Sequence, residues 1–100
     1  MLYTIISEDV PNSLALRLTA RPAHFKRLQD LQDAGHLILA GPHPRIDNEN
    51  PGEAGFTGSL IVAEFNNLAE AQTWANADPY IEQGVYAKVT VKPFKKVFPQ

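Results

Sequence analysis

Proton transfer near neutral pH needs a group that titrates there, and imidazole is the side chain that does so unperturbed. The chain carries three histidines and no cysteine among its 100 residues. Thiolate nucleophiles, disulfide scaffolds and cysteine-ligated metal centres are thereby excluded. His24 is followed by Leu28 and Leu31, so in a helix it shares their inward face. Pro22 marks a helix start, which places His24 in a first turn. The positive end of the helix dipole there favours a neutral imidazole able to accept a proton. A packed histidine without chemistry is the competing reading. Asp78 precedes Pro79 at the expected end of a second helix, where the dipole disfavours a carboxylate. It therefore needs a local partner such as a histidine, an arginine or backbone N–H groups. A plain Asp-Pro turn is the alternative.

Arg17 and Arg21 flank the approach to His24, and Asp9 ends the first apolar run. Together they form a polar mouth in which an arginine binds an anionic group. Each taken singly also reads as a solvated surface charge. Ser59, behind Gly58, is placed to donate a hydrogen bond into the same cleft. No Gly-x-Ser-x-Gly elbow is present, so a nucleophilic-serine hydrolase is not expected.

Other chemistries find less support. His36 and His43, with Asp47 and Glu49 beyond, match no metal-ligand spacing, so no metal is expected. The glycines at 52, 55 and 58 precede a strand, the wrong context for cradling phosphate, and no cofactor is expected. The net charge of −2 argues against nucleic acid as a partner. No apolar run approaches the ~18 residues of a membrane span. The N-terminal residues lack a basic start and a cleavage site, so a soluble cytoplasmic protein is expected.

These candidates need elements to hold them. Leu2 to Ser7 reads as a strand. Asn12 or Ser13 could cap a short helical turn from Leu14 to Leu18. A helix from Pro22 to about Ala34 turns Phe25, Leu28 and Leu31 inward and stops at Gly35. His36 to Gly41 is a second strand. Pro42 to Gly58, rich in Pro, Gly, Asn and Asp, is a long loop or ribbon, the kind of segment that is usually functional or mobile. Gly58 to Phe65 is a third strand. Asn67 and Glu70 form a capping box opening a second helix, whose inward stripe is Leu68, Ala71, Trp74 and Ala75. Tyr86 to Pro93 alternates as a fourth strand, with Ala87, Val89 and Val91 on one side.

The order β-α-β-β-α-β is the ferredoxin-like arrangement: one α+β domain over residues 1–100, with a four-stranded antiparallel sheet. The third strand is apolar on both sides, Leu60 and Val62 against Ile61, Ala63 and Phe65, which asks for cover on both faces. One chain supplies helices for only one face. A homodimer, or a higher oligomer, with sheets packed face to face is therefore expected, against a monomer with an apolar groove.

Arg21-Pro22-Ala23-His24, Ala40-Gly41-Pro42, Gly55-Phe56-Thr57-Gly58-Ser59, Ala63-Glu64-Phe65, Asp78-Pro79-Tyr80 and the stretch from Ala87 to Phe98 closely resemble the YciI-like family. The resemblance spans essentially the whole chain. It implies a ferredoxin-like fold assembled as a dimeric α/β barrel similar to muconolactone isomerase. It also implies an active site in which His24 and Asp78 are the catalytic pair. A related dehydrochlorinase of a chlorinated aromatic compound is thought to use such a pair. The expected function is that of a small cofactor-free enzyme performing isomerisation or elimination on a small anionic or aromatic metabolite. Arg17, Arg21, Ser59, Asp9 and Tyr80 would bind it. The alternative is a non-catalytic metabolite-binding or protein-interaction module using the same cleft. Topology leaves open whether His24 and Asp78 meet within one chain or across a dimer.

Overall fold

The computed structural model describes residues 1–100. Strand β1 (Leu2–Asp9) leads into helix α1 (Leu14–Asp33), then β2 (Leu37–Pro44), β3 (Phe56–Glu64), α2 (Leu68–Asn76), a short α3 (Pro79–Glu82) and β4 (Tyr86–Phe94). The strands form one antiparallel sheet in the order β2-β3-β1-β4, as a ferredoxin-like unit requires.

Register sorts the two faces. Ile5 pairs with Ile61 and Val91, and Tyr3 with Ala63. Ile5, Ile61 and Ala63 join Ala75 of α2 in the main core, with Leu28, Leu31, Trp74 and Val89 packed around them. The buried Ala71 and Ala75 bring α2 close to the sheet. The alternating residues Ile6, Leu39, Leu60, Val62 and Phe94 lie on the other face. There Ile6 is 37%, Leu39 49% and Phe94 40% exposed. The two-sided apolar character of β3 is thus real, and the helices cover one of its sides.

The structure revises several boundaries. Helix α1 is continuous from Leu14, with Pro22 inside it and not at its start. Proline removes one N–H from the helical ladder and leaves the Leu18 carbonyl without its bond. Leu18 lies on the exposed side, where water can take that bond. Buried Arg17, Ala20 and His24 hold the helix to the rest of the molecule on both sides of the proline. Phe25, expected inward, is 57% exposed because this stripe takes the inward face. Strand β2 runs on through Pro42 to Pro44, which an edge strand tolerates because one side needs no N–H. A register shift between Leu37 and Leu39 kinks that edge. Strand β3 begins at Phe56, so the connection is shorter than expected and contains a 3₁₀ turn at Gly52–Ala54. Gly35 at φ 78° and Asn67, accepting from the Glu70 N–H at 2.8 Å, end α1 and open α2 as expected.

Candidate active site

His24 sits in the middle of α1, not in its first turn, so a dipole-end argument does not apply to it. Its ring is held by contacts. Nδ1 lies 2.9 Å from Oδ1 and 3.0 Å from Oδ2 of Asp78. A carboxylate only accepts, so Nδ1–H donates, and in the neutral ring Nε2 keeps its lone pair. His24 is 6% and Asp78 3% exposed, and both belong to the same chain. The ring stacks on Tyr80, with centroids 3.9 Å apart and planes at 5°. Tyr80 is fully buried with Ala20 and Val85.

Asp78 is placed by a feature the sequence did not show. It is the N-cap of α3, and its Oδ1 accepts the Tyr80 N–H at 2.8 Å. Pro79 takes the first helical position, where its missing N–H costs nothing. The Asp-Pro pair therefore starts a helix as well as ending one. The carboxylate thus has a histidine and a backbone N–H as partners, two of the kinds that its place after α2 asks for.

Arg17 lies one layer deeper. Its Nε donates to Asp9 Oδ2 at 2.6 Å, and its Nη2 donates to Asp9 Oδ1 at 2.8 Å, the Gly58 carbonyl at 2.9 Å and Ser59 Oγ at 2.9 Å. Ser13 Oγ donates to the same Asp9 carboxylate at 2.5 Å. Burial works against the charge of Arg17, but the hydrogen bonds and charge of Asp9 outweigh it and hold the guanidinium above its ordinary value. Phe56, Tyr80 and Tyr86 surround the cation, with ring centroids 5.2 to 5.9 Å from Cζ. Tyr86 OH donates to Ser59 Oγ at 3.1 Å, and burial pushes the Tyr86 hydroxyl up to about 12.

A cleft of about 420 Å³ opens between α1 and the β2 edge. His24, Tyr80, Arg17, Arg21 and Ser59 all line it, with Phe25, Leu28 and the β2 backbone as its apolar side. Asp9 is not in this lining; it stands behind Arg17 as its counterion. Its role in the structure is to hold Arg17. Tyr86, Ser13 and Phe56 were missed as site residues. The signal available for Tyr86 was only strand alternation, which reports a face and not a partner. His36 contacts Glu64 at 3.1 Å on the surface, and no three His, Asp or Glu side chains converge as a metal site would require.

A YCII-related domain model matches residues 1–95. The chain belongs to this family. Among YCII-related proteins, the chain is 58% identical over 98 residues to Protein YciI of Escherichia coli, covering 98% of this chain and 100% of that protein. It is 57% identical, with the same coverage, to an uncharacterized protein of Haemophilus influenzae. Among solved structures, it is similar to a 5-chloro-2-hydroxyhydroquinone dehydrochlorinase from Burkholderia phenoliruptrix in complex with 2,5-dihydroxybenzoquinone. That match has a TM-score of 0.83 and 26% identity, covering 95% of this chain and 94% of the other. The α+β fold is therefore shared with that enzyme. No helix of this YCII-related chain is long and apolar enough to cross a membrane.

Proposed function

We propose that the protein is a small enzyme that works by acid–base chemistry, isomerising or eliminating from a small anionic or aromatic metabolite. The observation that carries this reading is the buried His24–Asp78 pair in the wall of a cleft. Asp78 fixes the ring and the tautomer, so Nε2 is the free base. That nitrogen takes a proton from a carbon next to a carbonyl, and the bonding pair moves toward the carbonyl oxygen. Returning the proton to another carbon completes an isomerisation. Expelling a leaving group with its electron pair completes an elimination. Neither route needs an electron carrier. The similar dehydrochlorinase is named for an elimination of this kind.

The reading includes a homodimer closed over the open sheet face, supported by the exposure of Ile6, Leu39 and Phe94 on that face. A thermal-shift screen of metabolites on wild type and His24→Ala identifies ligands, since a ligand stabilises the native state by mass action. Turnover of the identified ligand should fall about 10²- to 10⁴-fold in His24→Ala, compared at a temperature where both free proteins are folded, since loss of the buried ring also lowers stability. Equal turnover by the two proteins would reject the reading.

A further inference from the structure

A cation in a cleft offers its charge to a ligand only where the chain has not already matched it. The cleft beside His24 is lined by two guanidinium groups and by no aspartate or glutamate, although the chain carries 11 of these. Asp9 stands behind Arg17 and Asp78 behind His24, both outside the lining. Asp9 matches the charge of Arg17 at 2.6 Å. The half-buried Arg21 has no such partner. It makes no hydrogen bond or ion pair within the chain, and its Cζ lies 5.9 Å from the centre of the Phe25 ring. Arg21 thus gives the cleft one unmatched positive charge.

The remainder of the cleft is mostly apolar, and it extends away from that charge. Strands β1 and β2 both pair antiparallel with β3, so they run the same way and α1 runs back between them. The start of β2 therefore lies beside the end of α1. Along α1 the lining passes from Arg21 through His24 and Leu28 to Gln32, about 16 Å at the helical rise. Phe25 and Ile38 flank this stretch and are 57% and 51% exposed. An apolar body lying between them would remove that surface from water.

We propose that the cleft takes a monocarboxylate with an extended apolar body, its carboxylate held by Arg21 and its body lying between α1 and the start of β2. The planar fork of a guanidinium matches a carboxylate. One unmatched cation balances one negative charge, whereas a phosphate ester carries close to two at neutral pH. His24 is about one turn from Arg21, so the carbon that meets Nε2 lies near the charged end of the ligand. This class rests on the acid–base reading of the cleft and adds no covalent step to it.

Octanoate serves as the probe, with octanamide as its uncharged counterpart and octyl phosphate as its more highly charged one. Each is titrated by NMR against wild type, Arg21→Gln, Arg21→Lys and Ile38→Thr at neutral pH and low salt. Arg21→Gln should weaken octanoate about tenfold, as for loss of a charge-assisted bond, and octanamide about threefold or less. Arg21→Lys should restore part of the loss, because lysine keeps the charge without the fork. Ile38→Thr should weaken octanoate and octanamide alike, about two- to fivefold, as apolar cover is lost. Arg21 makes no bond within the chain and Ile38 is half exposed, so these variants keep the fold that the titration needs. Wild-type affinity for octanoate in Arg21→Gln, an equal loss for octanamide, tighter binding of octyl phosphate than of octanoate, or no binding of octanoate by wild type would each overturn the proposal. None of these touches the loss of turnover in His24→Ala, which judges the acid–base reading by itself.

Discussion

Of the three guanidinium groups on α1, those of Arg17 and Arg27 are housed in opposite ways. Arg17 has a buried carboxylate, a carbonyl and a hydroxyl to donate to, and three aromatic rings around it. Arg27 stacks on Trp74 at 4.3 Å and donates one bond, from Nη2 to the Trp74 carbonyl at 2.8 Å. Its Nη1 is buried with no partner. Burial accordingly pulls Arg27 below the ordinary guanidinium value, with the charge of Asp78 acting the other way. Arg17 is removed from water and Arg27 only partly so, and only Arg17 is given an anion in exchange. Desolvation costs a buried charge several kcal/mol, and geometry decides how much of that is recovered. Arg17 is part of the fold's internal wiring; Arg27 covers a tryptophan.

The contrast predicts the largest effect at Arg17. Arg17→Met leaves Asp9, whose side chain is 1% exposed, buried without a counterion. Chemical denaturation should show a loss of about 3–5 kcal/mol. The double change Arg17→Met with Asp9→Leu should recover much of it, because an apolar pair of similar volume is often no worse than the ion pair. Recovery failing altogether would mean that the bonds to Gly58 and Ser59 matter more than the charge.

An intermediate effect belongs to Tyr86, the neighbour that shares Ser59 with Arg17. Its hydroxyl is raised to about 12 from the ordinary value of 10.0. Between those values the unfolded chain loses the proton while the folded chain keeps it. Stability from this group is therefore complete below pH 10 and is lost as pH rises toward 12. The loss should reach about 2 kcal/mol after allowing for partial exposure, and should vanish in Tyr86→Phe. Denaturation curves across that range provide the measurement.

The smallest effect belongs to Arg27. Arg27→Met keeps much of the apolar cover on Trp74 and removes an unpartnered donor. It should change stability by less than about 1 kcal/mol. A cost matching that of Arg17→Met would erase the distinction between the two sites.

The same contrast explains what could be read from the sequence. Strand order, the Asn67 cap and the Gly35 stop were legible because each depends on local chemistry or on alternation. The candidate pair His24 and Asp78 was legible as residue types, but their contact was not, since 54 positions separate them and no periodicity spans that gap. The first half of α1 was legible only as a short turn from Leu14 to Leu18, because its inward stripe is Arg17, Ala20 and His24, a polar series that no hydrophobic pattern reveals. Pro22 reinforced the error, since proline usually opens a helix and here tertiary packing carries the helix through it. Helix α3 was too short to show a period, and its cap residue doubles as the end of the preceding turn. Tyr86 alternated as a strand residue should, which says nothing about whose hydroxyl it meets.

The His24–Asp78 bond also joins the two halves of the chain's own repeat. His24 comes from the first β-α-β passage and Asp78 from the second, with the connection around the 3₁₀ turn between them. Neither passage holds a complete site. Because Asp78 also caps α3 and Tyr80 both leads that helix and stacks on His24, the site comes into being in the same event that docks one passage on the other. Competence is thereby tied to completion of the fold: a chain that has collapsed but not docked carries the residues of the site without its chemistry.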